Sequence, residues 1–287
     1  MDLNSLNEIT DISETLIIPL YARAIESRTD NPIIVDRKAI EITNKLNTIL
    51  KDSQSKLHKK LLKGKLQKKL NVTLSLRTKK IDEYVDQFID LHENCVVVEL
   101  GCGLSTRFDR INNDGFEWYD LDFPEVINLR KKFFNETGRY HLIPSSVLDF
   151  DWMNSLSQKN DHNFLFIAEG LLMYLHEEEV KSLIVCLQKS FSGSELVSEV
   201  ANTYVVNILK HNIWKKKFQR DFYLGKEATF NFGISNSNDL EKWGEGIKFL
   251  DDWTYFDEPV KKLGLMRFFG RFNWVRKAQW IIHYRLD

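Results

Sequence analysis

Residues 96–104 read VVVELGCGL, and the stretch FEWYDLD follows at 116–122. The valines form a continuous apolar run, as expected of a strand buried on both faces of a parallel sheet. The run passes through Glu99 into Gly101, one spacer and Gly103, and the two glycines permit a tight turn with bare backbone open to a ligand. Open α/β sheets take ligands beyond the carboxyl ends of their strands. The second strand ends in two acids: Asp120 lies 19 residues past Gly101 and Asp122 lies 21 past it. An acid there can accept hydrogen bonds from both hydroxyls of a ribose, which is the arrangement of an adenosine cofactor site.

The same alternation continues outward. Residues 124–137 read as a helix, HLIPSSVLDF as a short strand and turn, and NFLFIAEGLLMYL as a fourth strand ending at Glu169. HEEEVKSLIVCLQKSF follows as a helix with acids in its first turn, where the helix dipole favours them, and SELVSEVAN as a fifth strand. IKFLDDWTYF, LGLMRFFGRF and QWIIHYRLD complete the sheet. Strand and helix alternating at this spacing predict βαβ units and a doubly wound, mostly parallel, seven-stranded sheet, a Rossmann-like α/β fold. Ahead of it, helices are predicted over 11–27, 37–50 and 79–92, so residues 1–80 read as a helical N-terminal cap and 81–287 as the core domain. Residues 202–245, rich in Lys, Phe, Asn and Trp, read as a lid inserted over the carboxyl edge.

Bulk properties bound the function. The chain has 287 residues, 43% of them hydrophobic, enough for one large core with a cap. A formal net charge of −1 gives no global argument for nucleic acid or an anionic surface. Seven lysines fall within 56–69; a solvated amphipathic helix broken near Gly64 accounts for them, with a polyanion-binding patch as the alternative. Cys95, Cys102 and Cys186 are scattered, which argues against a disulfide framework and for a reducing compartment. MDLNSLNEITDISETLIIPLYARA has no basic stretch before its apolar run and does not read as a signal peptide. No apolar run approaches the roughly 20 residues that span a bilayer. The expectation is a cytoplasmic protein with no membrane and no nucleic-acid partner, its oligomeric state left open.

Two cofactors compete for the glycine turn. The dinucleotide fingerprint G-x-G-x-x-G needs a third glycine, and Thr106 stands there. S-adenosylmethionine has no phosphate; it calls for acids and carbonyls around ribose, adenine and a sulfonium, which suits Glu99 before the turn and an acid at the end of the next strand. SETLIIPLYARAIES, ELGCGLSTRFDRI, WYDLDFPEVINLR, SSVLDFDW and FIAEGLLMYL together resemble the leucine carboxyl methyltransferase family, and its bacterial branch of polyketide O-methyltransferases in particular. The likeness extends to KWGEGIKFLDDWTYFDE and the closing WIIHYRL. It implies a class I methyltransferase fold that uses S-adenosylmethionine. By position it implies Arg77 at the cofactor carboxylate, where a guanidinium fork suits the task, Glu99, Gly101 and Gly103 at the turn, and Asp122 on the ribose. Asp120 is the second acid at this strand end, turned toward neighbours on the strand or turn. The resemblance also implies Ser146 and Val147 at the adenine edge and Glu169 near the methionine part. Protein-methylating members carry an acid where Ser146 stands. Arg23 is a further candidate, from the family's use of a basic residue in the N-terminal helix.

Methyl transfer from a sulfonium is an in-line displacement. A carboxylate acceptor is already ionised at neutral pH, whereas a phenol benefits from a base. His141, His162, His176, His211 and His283 are spread out and form no base constellation, so no catalytic residue is assigned, and the absence favours a carboxyl acceptor. HEEEV at 176–180 lacks the second histidine of a zinc helix, so no metal is expected. Aromatics such as Trp214, Phe218, Phe230, Phe232, Trp243 and Trp253 offer walls for an apolar pocket. The expected function is O-methylation of a carboxylate or hydroxyl of a small molecule, aromatic or polyketide-like in type. The alternatives are a protein C-terminal carboxyl methyltransferase and a non-catalytic cofactor- or polyanion-binding module.

Overall fold

A computed structural model describes residues 14–111, 113–159, 161–222, 229–258, 261–264 and 266–287. They build one seven-stranded sheet: β1 (Cys95–Leu100), β2 (Phe116–Asp122), β3 (Tyr140–Pro144), β4 (Asn163–Ala168), β5 (Ser194–Ala201), β6 (Ile247–Trp253) and β7 (Gln279–Leu286), in the order β3-β2-β1-β4-β5-β7-β6. The first five strands pair in parallel and β7 runs antiparallel to both β5 and β6. The order reverses between β1 and β4, so the switch point lies beside the glycine turn.

The helices are α1 (Glu14–Glu26), α2 (Arg37–Leu50), α3 (Lys56–Leu62), α4 (Lys68–Leu91), α5 (Arg107–Arg110), α6 (Pro124–Arg130), α7 (Trp152–Leu156), α8 (Glu177–Ser190), α9 (Thr203–Leu209), α10 (Asn212–Phe222), α11 (Met266–Phe269) and α12 (Asn273–Arg276). The chain divides into two compact units. The first comprises residues 1–82, 104–110 and 216–228, and the second all the rest. Their boundary falls inside α4, where no linker composition marks it.

In the second unit every residue of β1 is buried, which is why its sequence does not alternate. Val96, Val98 and Leu100 pack with Phe164 and Phe166 of β4 and with Val180, Leu183, Ile184 and Leu187, the apolar stripe of α8. The Glu179 carboxylate accepts from the His176 backbone N–H at 2.7 Å, closing the first turn of that helix.

In the first unit the charges are buried in a network. Asp36 is fully buried, and its Oδ1 caps α2 by accepting from Ala39 N at 2.8 Å. Its Oδ2 accepts from Arg23 Nε at 2.8 Å, Thr106 Oγ1 at 2.5 Å and Arg110 Nη1 at 2.8 Å. Asp82 accepts from Arg107 Nε and Arg110 Nε, each at 2.7 Å. Burial alone would raise the Asp36 carboxyl, but Arg110, Arg23 and the Thr106 and Ala39 hydrogen bonds outweigh it and hold it below its ordinary value. We expect Asp36→Asn to lower the unfolding free energy by about 2–3 kcal/mol, because an amide donor would face two guanidinium donors. A carboxyl with a depressed folded pKa stabilises above its unfolded pKa of about 3.9 and loses that contribution as pH falls through the folded value. The gap in melting temperature between wild type and Asp36→Asn therefore narrows below about pH 4; a gap that is constant with pH would contradict the assignment.

Several predicted elements come out differently. The helix expected over 124–137 stops at Arg130, because tight turns in which Phe133 and Phe134 N–H donate to the Arg130 carbonyl carry both phenyl groups inward. The helix expected over 79–92 is the second half of the 24-residue α4. The lysine-rich stretch, by contrast, breaks near Gly64 as expected: α3 ends at Leu62, Gly64 takes φ +62°, and the chain turns helical again at Lys68. LGLMRFFGRF adds no strand, since β6 and β7 pair directly; Phe268 and Phe269 are adjacent and both exposed, where a strand would send them to opposite faces. The predicted lid, 202–245, is not uniform either. Residues 203–222 supply α9 and α10, whereas Phe232, Ile234 and Leu240 belong to the core of the second unit. Gly233 is the reason that stretch lies so close: a Cβ there would meet the Ala201 carbonyl oxygen and Val206 Cγ2 at 2.8 Å. The part of the lid at 223–228 falls outside the described residues.

Candidate cofactor site

The strand order places the carboxyl ends of β3, β2, β1 and β4 side by side. With them come Ser146 and Val147 after β3, Asp122 at the end of β2, Glu99 and the glycine turn at β1, and Glu169 just past β4. These predicted residues are therefore brought to one edge of the second unit.

Gly101 and Gly103 both have left-handed backbone, φ +65° and +51°, a region costly to residues with a Cβ. A Cβ on Gly101 would also come within 3.0 Å of Leu171 Cδ1. The turn is tied to the neighbouring strand. Gly101 N and Cys102 N donate to the Leu121 carbonyl at 2.8 and 3.1 Å, and Gly103 N donates to Asp122 Oδ2 at 2.8 Å. Asp122 Oδ1 accepts from Phe123 N at 2.8 Å. Each carboxylate oxygen carries two lone pairs, so this half-buried acid retains acceptor capacity toward the crevice. Burial, the dominant influence, raises its carboxyl above the ordinary value against the pull of the Gly103 and Phe123 N–H groups and Arg130.

The adenine-side loop is tied to the same strand end by Ser145 N, which donates to the Asp122 carbonyl at 3.0 Å. Ser146 Oγ accepts from Leu148 N at 3.2 Å, and Val147 is buried, its carbonyl accepting from Trp152 Nε1 at 3.4 Å. Glu169 is half-buried and leads into Gly170, φ +63°, and then Leu171, the side chain that limits Gly101. Glu99 sits on β1 opposite Asp120 and is only 2% exposed.

Asp120 belongs to a different set. It is 1% exposed and accepts from Arg130 Nη2, the Tyr140 hydroxyl and Trp118 Nε1. Its carboxylate is an internal ion-pair partner, because side chains two residues apart lie on the same face but Asp122 stands at the crevice end and Asp120 one pleat deeper. Arg130, also 1% exposed, extends the network by donating from Nη1 to the Gly103 carbonyl at 2.8 Å. Sequence reasoning missed this arginine, since nothing in NLRKKFF separates it from the solvated lysines beside it. Arg77 lies on α4 in the first unit, half-buried. Arg23, in the same unit, is engaged by Asp36 and by the Leu104 carbonyl, to which Nη2 donates at 2.9 Å. Cys102 is buried, and burial raises its thiol well above the ordinary value, so it is no nucleophile.

The family model for leucine carboxyl methyltransferases matches residues 17–188. The chain belongs to the leucine carboxyl methyltransferase family. It is accordingly a methyltransferase whose methyl donor is S-adenosylmethionine. It is 27% identical over 259 residues to the tetracenomycin polyketide synthesis O-methyltransferase TcmP of Streptomyces glaucescens, a match covering 88% of this chain and 86% of that one. It is 26% identical over 287 residues to the S-adenosyl-L-methionine-dependent methyltransferase dpfgK of Gibberella zeae, covering 95% and 91%. Leucine carboxyl methyltransferase 1 of Caenorhabditis elegans is 27% identical over 159 residues, covering 42% of this chain and 47% of that one. Among solved structures, a DUF574-family protein of Streptomyces avermitilis superposes with a TM-score of 0.55 at 10% identity, over 97% of this chain and 100% of that one. A SAM-dependent methyltransferase of Anabaena variabilis superposes with a TM-score of 0.50 at 14% identity, over 74% and 86%. These two likenesses speak to the fold.

The residues present fit this donor. It carries no phosphate, and the turn offers bare backbone at two left-handed glycines, with an acid at the end of the neighbouring strand and no third glycine.

Proposed function

We propose that this methyltransferase acts on an oxygen of a small acceptor, a carboxylate or hydroxyl on an aromatic, polyketide-like molecule. The observation that carries the reading is coverage: the polyketide synthesis O-methyltransferase aligns along 88% of the chain, leucine carboxyl methyltransferase 1 along 42%. The donor supplies an electrophilic methyl on a cationic sulfur. In this reading Asp122 holds the ribose hydroxyls, the backbone of Gly101 and Gly103 lines the crevice, Ser146 and Val147 meet the adenine edge, and Glu99 and Glu169 face the methionine part. Arg77 keeps, from the family resemblance, the donor's carboxylate. The chain's main contribution is alignment, which can be worth roughly 7–11 kcal/mol.

The histidines favour a carboxylate acceptor over a phenol. His141 and His162 flank Glu117, and His92 and His283 flank Glu195. Glu117 and Glu195 are each the second residue of their strand, so these four of the seven histidines cluster toward the amino edge of the sheet, opposite Asp122. An acceptor already ionised at neutral pH needs no base. We expect turnover with small aromatic acids, at a rate nearly flat from pH 6.5 to 8.5 by the order-of-magnitude expectation for a group with pKa of about 4. Assays across aromatic acids, phenols and peptides with a free C-terminal carboxylate check this; methylation of the peptides alone would reverse the choice of substrate class.

A further inference from the structure

Two surface segments leave the sheet of the second unit at neighbouring positions. Ala201, the last residue of β5, pairs with Gln279, the first of β7, and Asn202 N donates to the Ala278 carbonyl at 3.0 Å. The chain leaves β5 into α9 and α10, and it returns to β7 from α11 and α12, at the same edge as Asp122. The returning segment exposes four large aromatics within seven residues: Phe268 (58%), Phe269 (53%), Phe272 (47%) and Trp274 (64%). Phe268 and Phe269 meet edge to face with centroids 6.0 Å apart, and the Arg271 guanidinium lies 5.2 Å over the Phe268 ring. The departing segment exposes Ile213 (81%) and Trp214 (52%).

Charge accompanies these rings. Residues 261–277 carry six cations and no acid, in a chain of net charge −1. Arg276 pairs with Asp257, and Lys277 with Asp252 at 2.6 Å, which fastens the base of the segment to the end of β6. Lys261, Arg267 and Arg271 face solvent.

Monomeric soluble surfaces rarely gather this much aromatic area, and rings interleaved with Lys and Arg match the boundary between anionic headgroups and acyl chains. A second copy of the chain fits less well, because a two-fold contact would set this cationic face against itself. Single-stranded nucleic acid needs a row of cations tracking phosphates; here four aromatics stand against three solvent-facing cations. We infer that this face docks on an anionic phospholipid bilayer. The Phe268–Phe269 pair and Trp274 enter the acyl boundary, while Arg267 and Arg271 meet headgroup phosphates. The docking stands independently of which acceptor is methylated.

The test is flotation of the full-length protein with vesicles of phosphatidylglycerol and phosphatidylcholine in equal parts, against vesicles of phosphatidylcholine alone. We expect binding to the anionic vesicles, weakened by salt, and reduced at least about thirtyfold by Arg267→Glu/Arg271→Glu, from the roughly 1 kcal/mol that each basic residue contributes near such a surface. Phe269→Ser/Trp274→Ser lowers binding to a similar extent. All four side chains are exposed, so unchanged thermal unfolding serves as the folding control. Wild-type protein supplies an arm free of variants: brominated acyl chains quench its tryptophan fluorescence on anionic vesicles. No flotation, no quenching, or flotation of both double variants at the wild-type level overturns the inference. So does tighter binding to a single-stranded oligonucleotide than to vesicles, which would make the face a nucleic-acid surface.

Discussion

Arg130→Met lowers the unfolding free energy by about 3–5 kcal/mol, the cost typical of removing one partner from a buried ion pair. Arg130 and Asp120 are each 1% exposed, so the carboxylate left behind has no water to replace the guanidinium. The Tyr140 hydroxyl and Trp118 Nε1 continue to donate to it, but neither carries charge. The guanidinium also lies 4.3 Å from the centroid of the Phe134 ring, and methionine retains much of that packing; the loss therefore reports the charge. Chemical denaturation of the variant measures the effect. A double-mutant cycle separates its causes: Asp120→Asn/Arg130→Met should be less destabilised than the sum of the single changes, because the isolated buried charge has gone. Additive single effects would mean that the pair is not coupled. Arg130→Met also removes the donor to the Gly103 carbonyl, so affinity for S-adenosylmethionine falls with stability.

Asp122→Ala weakens S-adenosylmethionine binding by at least about a hundredfold. The estimate takes two hydrogen bonds from ribose hydroxyls to an ionised carboxylate, about 1.5–3 kcal/mol each. Part of the loss comes from the turn itself, since Asp122 also accepts from Gly103 N. Asp122→Asn separates the two effects, because its remaining carbonyl oxygen can hold Gly103 N but serves the hydroxyls poorly, so it should recover only part of the affinity. Calorimetric titration of the three proteins checks this, and equal affinity in wild type and Asp122→Ala would remove Asp122 from the ribose. The pH dependence has a definite sign. Burial raises the Asp122 carboxyl above its ordinary value, and the ionised form is the better acceptor. Affinity therefore declines as pH falls through that raised value.

The parts of the fold legible in the sequence were those set by local pattern. VVVEL carries no alternation because β1 is buried along its whole length. The acids opening α8 sit where helix N–H groups lack partners. Gly101 and Gly103 mark the turn because few other residues take a left-handed backbone there. Illegible were choices between neighbours of like type. Asp120 and Asp122 end the same strand and differ by two residues, yet one is buried against Arg130 and the other is half-buried against the glycine turn. Arg130 stands beside Lys131 and Lys132 and is distinguished by being turned inward. The stretch 263–272 was misread for a related reason: periodicity reports which residues can share a face, not whether a strand finds a partner.

By itself, then, the sequence determined that a parallel strand ends in a glycine turn and that an acid closes the strand beside it, since backbone conformation and two-residue alternation are properties of a few adjacent residues. Only the tertiary structure decided which acid is buried, which arginine neutralises it and which aromatic residues are left in solvent. Those outcomes depend on desolvation and charge pairing between side chains on different elements, and no local pattern encodes them.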